Sequence, residues 1–237
     1  MSQPAWPQAF PGGVADAELQ HALWRDRSGK MVALRLADGQ LLWRSAEPLW
    51  PLLLGHNIAL GLALSPPRVV ALALDKAGAE RWRSDTLPWP EWASHLDTRS
   101  SAMDVHAGWL GQRILLHWHL QPAYTGGAVP GRSRAKPAAA AASCLLDAAS
   151  GALEPAPVAF DSARPEPAPQ EPSDDPQVLA QQQLGGVRYR LLQRVLPGAP
   201  GDTLHTVLIA HDLARGQDLW QCALDETRAK APRALRS

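Results

Sequence analysis

The sequence is poor in several residue types at once. Its 237 residues include two cysteines, two tyrosines, two phenylalanines and three methionines, and no two cysteines stand in a C-x-x-C spacing. A disulfide-stapled scaffold and a thiolate metal cluster both need more sulfur than this. Cys144 and Cys222 sit singly inside apolar runs, where the expected role is that of a small buried hydrophobe. Charge of one sign is missing too: 23 Lys+Arg against 23 Asp+Glu give a formal net charge of +0. Such a chain has no overall field to draw it to nucleic acid or to an anionic membrane, so neither is an expected partner. No apolar run approaches the ~20 residues that cross a bilayer. The amino terminus, MSQPAWPQAFPGG, has neither the basic start nor the apolar stretch of a secretory signal, which gives a cytoplasmic expectation.

Catalytic signatures are absent as well. The chain has no Gly-x-Ser-x-Gly elbow, no GxxxxGK[ST] loop, no GxGxxG, no HExxH and no Asp-rich calcium loop. The expectation is therefore a protein without cofactor or metal, not an enzyme. His117-Trp118-His119 puts two imidazoles on one face of a strand, a spacing that metal sites use, but no Cys, Asp or Glu ligand is adjacent. Polar histidines on a solvated or inter-sheet face are the expected assignment.

What the sequence does have is tryptophan, ten of them, with 22 prolines and 18 glycines. Three of the ten recur in register. An apolar run, a polar turn ending in glycine and a second short segment appear four times: Met31 to Trp43, Val69 to Trp82, Ser143 to Pro155 and Val207 to Trp220. Tryptophan follows the turn glycine by four residues in three copies, at Gly39 and Trp43, Gly78 and Trp82, Gly216 and Trp220. In the remaining copy Pro155 stands four after Gly151. A structural unit recurs in this way because each copy buries the same face against its neighbour. Asp75, Asp147 and Asp212 precede the turns, where a carboxylate caps backbone N–H groups.

The element Ala210-x-Asp212-x-x-x-Gly216-x-x-x-Trp220 resembles the repeat of the pyrroloquinoline-quinone-type, or quinoprotein-like, β-propellers. There an Ala-x-Asp-x-x-Thr-Gly-x-x-x-Trp unit forms the two outer strands of each blade. Here Ser150 takes the threonine place in one copy, Asp75 stands three rather than four before Gly78, and Arg35 takes the aspartate place in the first. The resemblance implies an all-β propeller of about four four-stranded antiparallel blades over residues 1–237, with Trp43, Trp82 and Trp220 buried between blades. It implies packing and no cofactor, because the adjacent cysteines of quinone-dependent dehydrogenases are missing and no acid-and-asparagine set matches their calcium site. A quinone- or metal-dependent propeller enzyme is the alternative.

Strand-like segments flank each copy. Blades two to four have four each; blade one has three, its innermost strand left to Ala5 to Phe10 or to a partner subunit. A four-bladed ring and an open half-propeller completed by a partner are both open, as are monomer and dimer. Pro-, Ala- and Gly-rich insertions at 121–142 and 154–177, and a polar tail at 225–237, cannot bury enough apolar surface to fold alone.

In a blade lettered A to D from inside out, the A–B and C–D connections lie on one face, the B–C and D–A connections on the other. Both insertions, Asp85 to Ser101 and Leu196 to Thr203 belong to the second face, while the C–D turns stay short. Loops carry function, so the expected activity is binding of another protein on the B–C/D–A face. Trp89, Trp92, Tyr124, Arg132 and Arg134 are the expected participants, because aromatics and arginine dominate interface energy. Two concrete forms are an immunity protein that neutralises a bacterial toxin and an assembly scaffold.

Overall fold

The computed structural model describes residues 4–55, 57–65, 68–90, 103–121, 140–156, 175–195 and 204–224. Among them there is no helix. The strands are β1 (Gln8–Phe10), β2 (Gly13–Ala15), β3 (His21–Arg25), β4 (Lys30–Arg35) and β5 (Gln40–Pro48); β6 (Trp50–Gly55), β7 (Ile58–Ser65), β8 (Arg68–Leu74) and β9 (Glu80–Arg83); β10 (Met103–Leu110), β11 (Arg113–Leu120), β12 (Ala140–Asp147) and β13 (Leu153–Pro155); β14 (Val178–Leu184), β15 (Val187–Val195), β16 (Leu204–Asp212) and β17 (Gln217–Ala223). They form four sheets, β1 to β5, β6 to β9, β10 to β13 and β14 to β17, each a meander in chain order. The all-β class and the four blade-like antiparallel sheets are as expected.

The first sheet differs in detail. The chain itself supplies two inner strands, and the one that pairs with β3 is β2, with Ala15 opposite Ala22. Ala5 pairs instead with Trp109, through backbone bonds of 2.7 and 2.8 Å, and the Trp6 ring lies over Gly108. Two boundaries move as well. Strand β12 starts at Ala140, inside the expected 121–142 insertion, and β13 ends at Pro155, inside that at 154–177. The rest of both insertions and the tail lie outside the described residues.

Two compact units divide the chain: Met1–Trp6, Leu62–Ala73 and Glu80–Pro165 in one, Pro7–Gly61, Leu74–Ala79 and Glu166–Ser237 in the other. In the second unit the first and last sheets share a core. Phe10, Trp24, Val32 and Leu34 meet Tyr189, Leu191, Leu208 and Trp220 there. Tyr189 sits between two rings, with centroids 5.2 Å from Phe10 and 6.0 Å from Trp220. In the first unit Leu115 and Leu145 pack with Trp6 and Leu110, and Trp118 is wholly buried.

Candidate functional site

Each C–D turn ends on a glycine in the left-handed region, with φ of 69° at Gly39, 82° at Gly78, 74° at Gly151 and 65° at Gly216. The acids before the turns cap them. Asp75 Oδ1 accepts from the Ala77 and Ala79 amides at 2.8 and 2.9 Å, Asp147 Oδ1 from Ala149 and Ser150 at 3.1 and 2.8 Å, and Asp212 Oδ1 from Ala214 and Arg215 at 2.9 and 3.1 Å. In the first copy Arg35 holds Asp38, which turns back to accept from the Gln40 amide.

The repeat tryptophans use these turns as seats. Trp220 lays its six-membered ring over Gly39 and donates its indole N–H to Leu36 O at 2.8 Å. Trp82 does the same over Gly151 and donates to Ala148 O at 2.9 Å. Both rings are buried, and both acceptors lie three residues before the glycine. A β-bulge sets the angle of approach. Trp43 faces Ala33 and Trp220 faces Ala210, with one extra residue before each tryptophan, so Leu42 and Leu219 turn outward and are 38% and 37% exposed.

Trp43 departs from the expected burial between blades. It is half-buried, touches Gly78 through Cβ and the five-membered edge of its ring, and donates no hydrogen bond among the described residues. The cause is one residue of turn length. The Gly39, Gly151 and Gly216 amides reach back four residues, to Arg35, Asp147 and Asp212. Gly78 reaches back three, to Asp75 O at 3.0 Å. In the longer turns the additional residue does two jobs: its N–H bonds to the inner hairpin of its own sheet (Leu36 to Gln20 O, Ala148 to Gln112 O, Leu213 to Gly186 O), and in two of them its carbonyl takes the indole. The second turn lacks that residue, so its inner hairpin stays uncovered and Trp43 has no comparable acceptor.

A cleft of about 360 Å³ occupies that place, within the second unit. Trp43, Leu42 and Ala33 form one wall, and Leu54, Gly55, Asn57 and Ile58 of the uncovered β6–β7 hairpin form the other. Asp75 and Lys76 come from the short turn, and Asp16, Glu18, Gln20 and His21 from the β2–β3 turn. Asn57 adopts φ 65°, a left-handed conformation that asparagine tolerates. Asp16 is buried, its oxygens taken by the Gln20 amide at 2.7 Å, the His21 amide at 3.1 Å and His21 Nδ1 at 3.0 Å. That acid orients the imidazole, but no serine, threonine, cysteine or tyrosine lines the cleft among the described residues. The thiols lie elsewhere, and burial pushes that of Cys144 up to about 12.

This cleft is lined by A–B and C–D connections of its sheets, whereas the expected partner loops are B–C and D–A connections. Of the expected participants, Trp89 is half-buried against Trp118, ring centroids 5.5 Å apart at 31°, and its buried Nε1 has no partner among the described residues. Trp92, Tyr124, Arg132 and Arg134 lie outside the described residues. His117 is buried in β11 with Nδ1 2.8 Å from Ser143 Oγ, and no group of three His, Cys, Asp or Glu side chains stands close enough for a metal among the described residues. Sequence reasoning missed Asp16, Glu18 and His21. The one available signal was Asp75 standing three residues before its glycine.

No family model matches the chain, and no curated protein is similar to it in sequence. Among solved structures it is similar to BamB from Moraxella catarrhalis, with 13% identity and a TM-score of 0.32 over 92% of this chain and 66% of that one. It is also similar to the quinohemoprotein alcohol dehydrogenase from Comamonas testosteroni, with 11% identity and a TM-score of 0.30 over 97% of this chain and 36% of that one. The chain thus spans less than two thirds of the length of either. Likenesses at this level carry no function across, and the fold stands on the strand pairing described above.

Proposed function

We propose that this protein is a non-enzymatic binding protein whose ligand is another protein, held at the Trp43 cleft. The observation that carries this is the half-exposed Trp43 and Leu42 wall. The two other repeat tryptophans are sealed into the fold, whereas this one is left over open space beside carboxylates. An aromatic wall with a polar rim is the make-up of an interface anchor pocket. The arrangement of His21 supports binding over turnover, since Asp16 is saturated by the turn that it caps and no nucleophile stands beside the ring. The partner fits either of two cytoplasmic roles, a toxin neutralised by an immunity protein or an assembly served by a scaffold. A quinone or metal enzyme is the competing class.

Affinity capture from the native cell with wild-type protein and two variants tests the proposal. Leu42→Asp spoils the cleft wall; the other variant shortens the 122–139 segment. A partner held by the loop variant and lost by Leu42→Asp supports the cleft. The reverse pattern moves the contact to the B–C/D–A face and to Trp89, Trp92, Tyr124, Arg132 and Arg134. Stoichiometric metal or a quinone absorbance in the purified protein overturns the non-enzymatic assignment.

A further inference from the structure

The charged groups of the cleft are mostly carboxylates, Asp16, Glu18 and Asp75 against Lys76, and this selects what enters it, an inference that rests on the binding function proposed above. Asp75 uses Oδ1 for its two turn amides and leaves Oδ2 without a partner among the described residues. Glu18 is exposed and unpaired among them. With Nδ1 of His21 tied to Asp16, Nε2 is the ring nitrogen left over. Lys76 is the one Lys or Arg side chain lining the cleft among the described residues. Beside them Trp43 presents a half-open ring, whose π face attracts a cation. A guanidinium matches the carboxylates and the ring: it is flat enough to stack on indole, always charged, and carries five donors and no acceptor. We infer that the cleft receives an arginine side chain of the partner protein, stacked on Trp43 and held by Asp75 and Glu18.

The test uses the full chain labelled with ¹⁵N, the Trp43 indole signal being assigned with Trp43→Phe. N-acetyl-arginine methylamide is titrated against its lysine and norleucine counterparts. The arginine probe shifts the Trp43 signal saturably and binds about tenfold or more tighter than norleucine. Its affinity falls severalfold between about 50 and about 300 mM salt, as the Debye length shortens. Asp75→Asn keeps the Oδ1 cap, so the turn stays intact while arginine binding weakens about fivefold. Inserting one alanine between Lys76 and Ala77 restores the length of the other turns. It protects the Trp43 indole N–H from exchange and abolishes arginine binding.

A lysine probe that binds as tightly as arginine overturns the assignment in favour of charge alone. A norleucine probe that does so, without salt dependence, overturns it in favour of an apolar guest. Both results leave the protein-binding function standing, as does silence of all three probes when capture still depends on Leu42. Silence together with capture indifferent to Leu42→Asp overturns both. Unchanged arginine binding in the insertion variant overturns the role given to turn length.

Discussion

Trp220 and Trp43 occupy the same place in their repeats, follow the same kind of bulge and lie over the same kind of glycine, yet one is core and the other is a wall. The difference lies in the turn that each meets. Trp220 meets a turn whose Leu36 carbonyl accepts its indole N–H, and Trp43 meets a turn that lacks the residue carrying that carbonyl, Gly78 bonding back to Asp75 O. A single residue of loop length thus decides whether a repeat position is sealed or exposed. In repeat folds the departure from the repeat marks the candidate site, and the conformity of the other copies measures how far it departs.

The largest effect that separates the two environments is truncation of the ring. Trp220→Ala and Trp82→Ala each leave a cavity and an unpaired carbonyl, buried at Leu36 and half-buried at Ala148, at a cost of about 3–5 kcal/mol. Trp43→Ala removes a half-solvated ring and costs about 1–2 kcal/mol, on the scale of partial apolar burial. Urea unfolding of the three variants ranks them directly. Equal losses at all three positions would break the comparison.

The glycine seats give a second ladder. A Cβ at Gly39 would stand 2.4 Å from Trp220 Cε3 and one at Gly151 2.4 Å from Trp82 Cε3, whereas at Gly78 the nearest atoms, in Trp43, are 2.9 Å away and at Gly216 nothing described lies within 4 Å. Gly216→Ala therefore isolates the strain of a left-handed φ, about 1 kcal/mol, and Gly39→Ala and Gly151→Ala add about 1–3 kcal/mol of overpacking. Gly78→Ala falls between. If Gly216→Ala costs as much as Gly39→Ala, the seat has no role beyond backbone conformation.

How far the chain was legible follows the same division. The segments of the three later sheets, such as IALGLALS for Ile58–Ser65, stand where alternation and turn glycines place them, because strand pairing obeys a local rule. Strands β1 and β2 are three residues each, bounded by Pro7, Pro11 and Gly12, and too short for any periodicity to show. Asp75 was visible as an irregularity. Its consequence was not, since the indole that the turn fails to seat is Trp43 of the preceding repeat, and only the fold brings them together. Asp16 and His21 gave no signal because a capped turn reads the same whether or not a cleft lies beside it.

A finer cut keeps the ring and removes only the N–H. Trp220→Phe and Trp82→Phe lose the bonds to Leu36 O and Ala148 O, and each loses about 1–2 kcal/mol more than the smaller ring alone accounts for, because an acceptor that is buried at Leu36 and half-buried at Ala148 goes unpaired. Trp43→Phe forfeits no such bond, so its loss is confined to the change in ring area. A double-mutant comparison with Trp→Leu at each site separates the two terms. A hydrogen-bond component at Trp43 as large as that at Trp220 would show that the short turn does offer an acceptor in solution.

The smallest effect belongs to the charge on the long turns. The Ser150 hydroxyl and amide hold the Asp147 carboxyl below the usual carboxylate range, and Arg35 does the same for Asp38. A carboxyl whose folded value is lowered stabilises the fold above its unfolded value, and the contribution disappears as pH falls through the folded value. Asp147→Asn keeps an acceptor for the turn and removes the titration. The stability difference between wild type and this variant is therefore positive at neutral pH, begins to shrink as pH enters the usual carboxylate range, and vanishes once pH is below the lowered folded value. Both acids are partly open to solvent, so the difference also narrows with added salt. Chemical denaturation at stepped pH measures it. A difference that persists unchanged into strong acid would mean that it does not arise from the charge of Asp147.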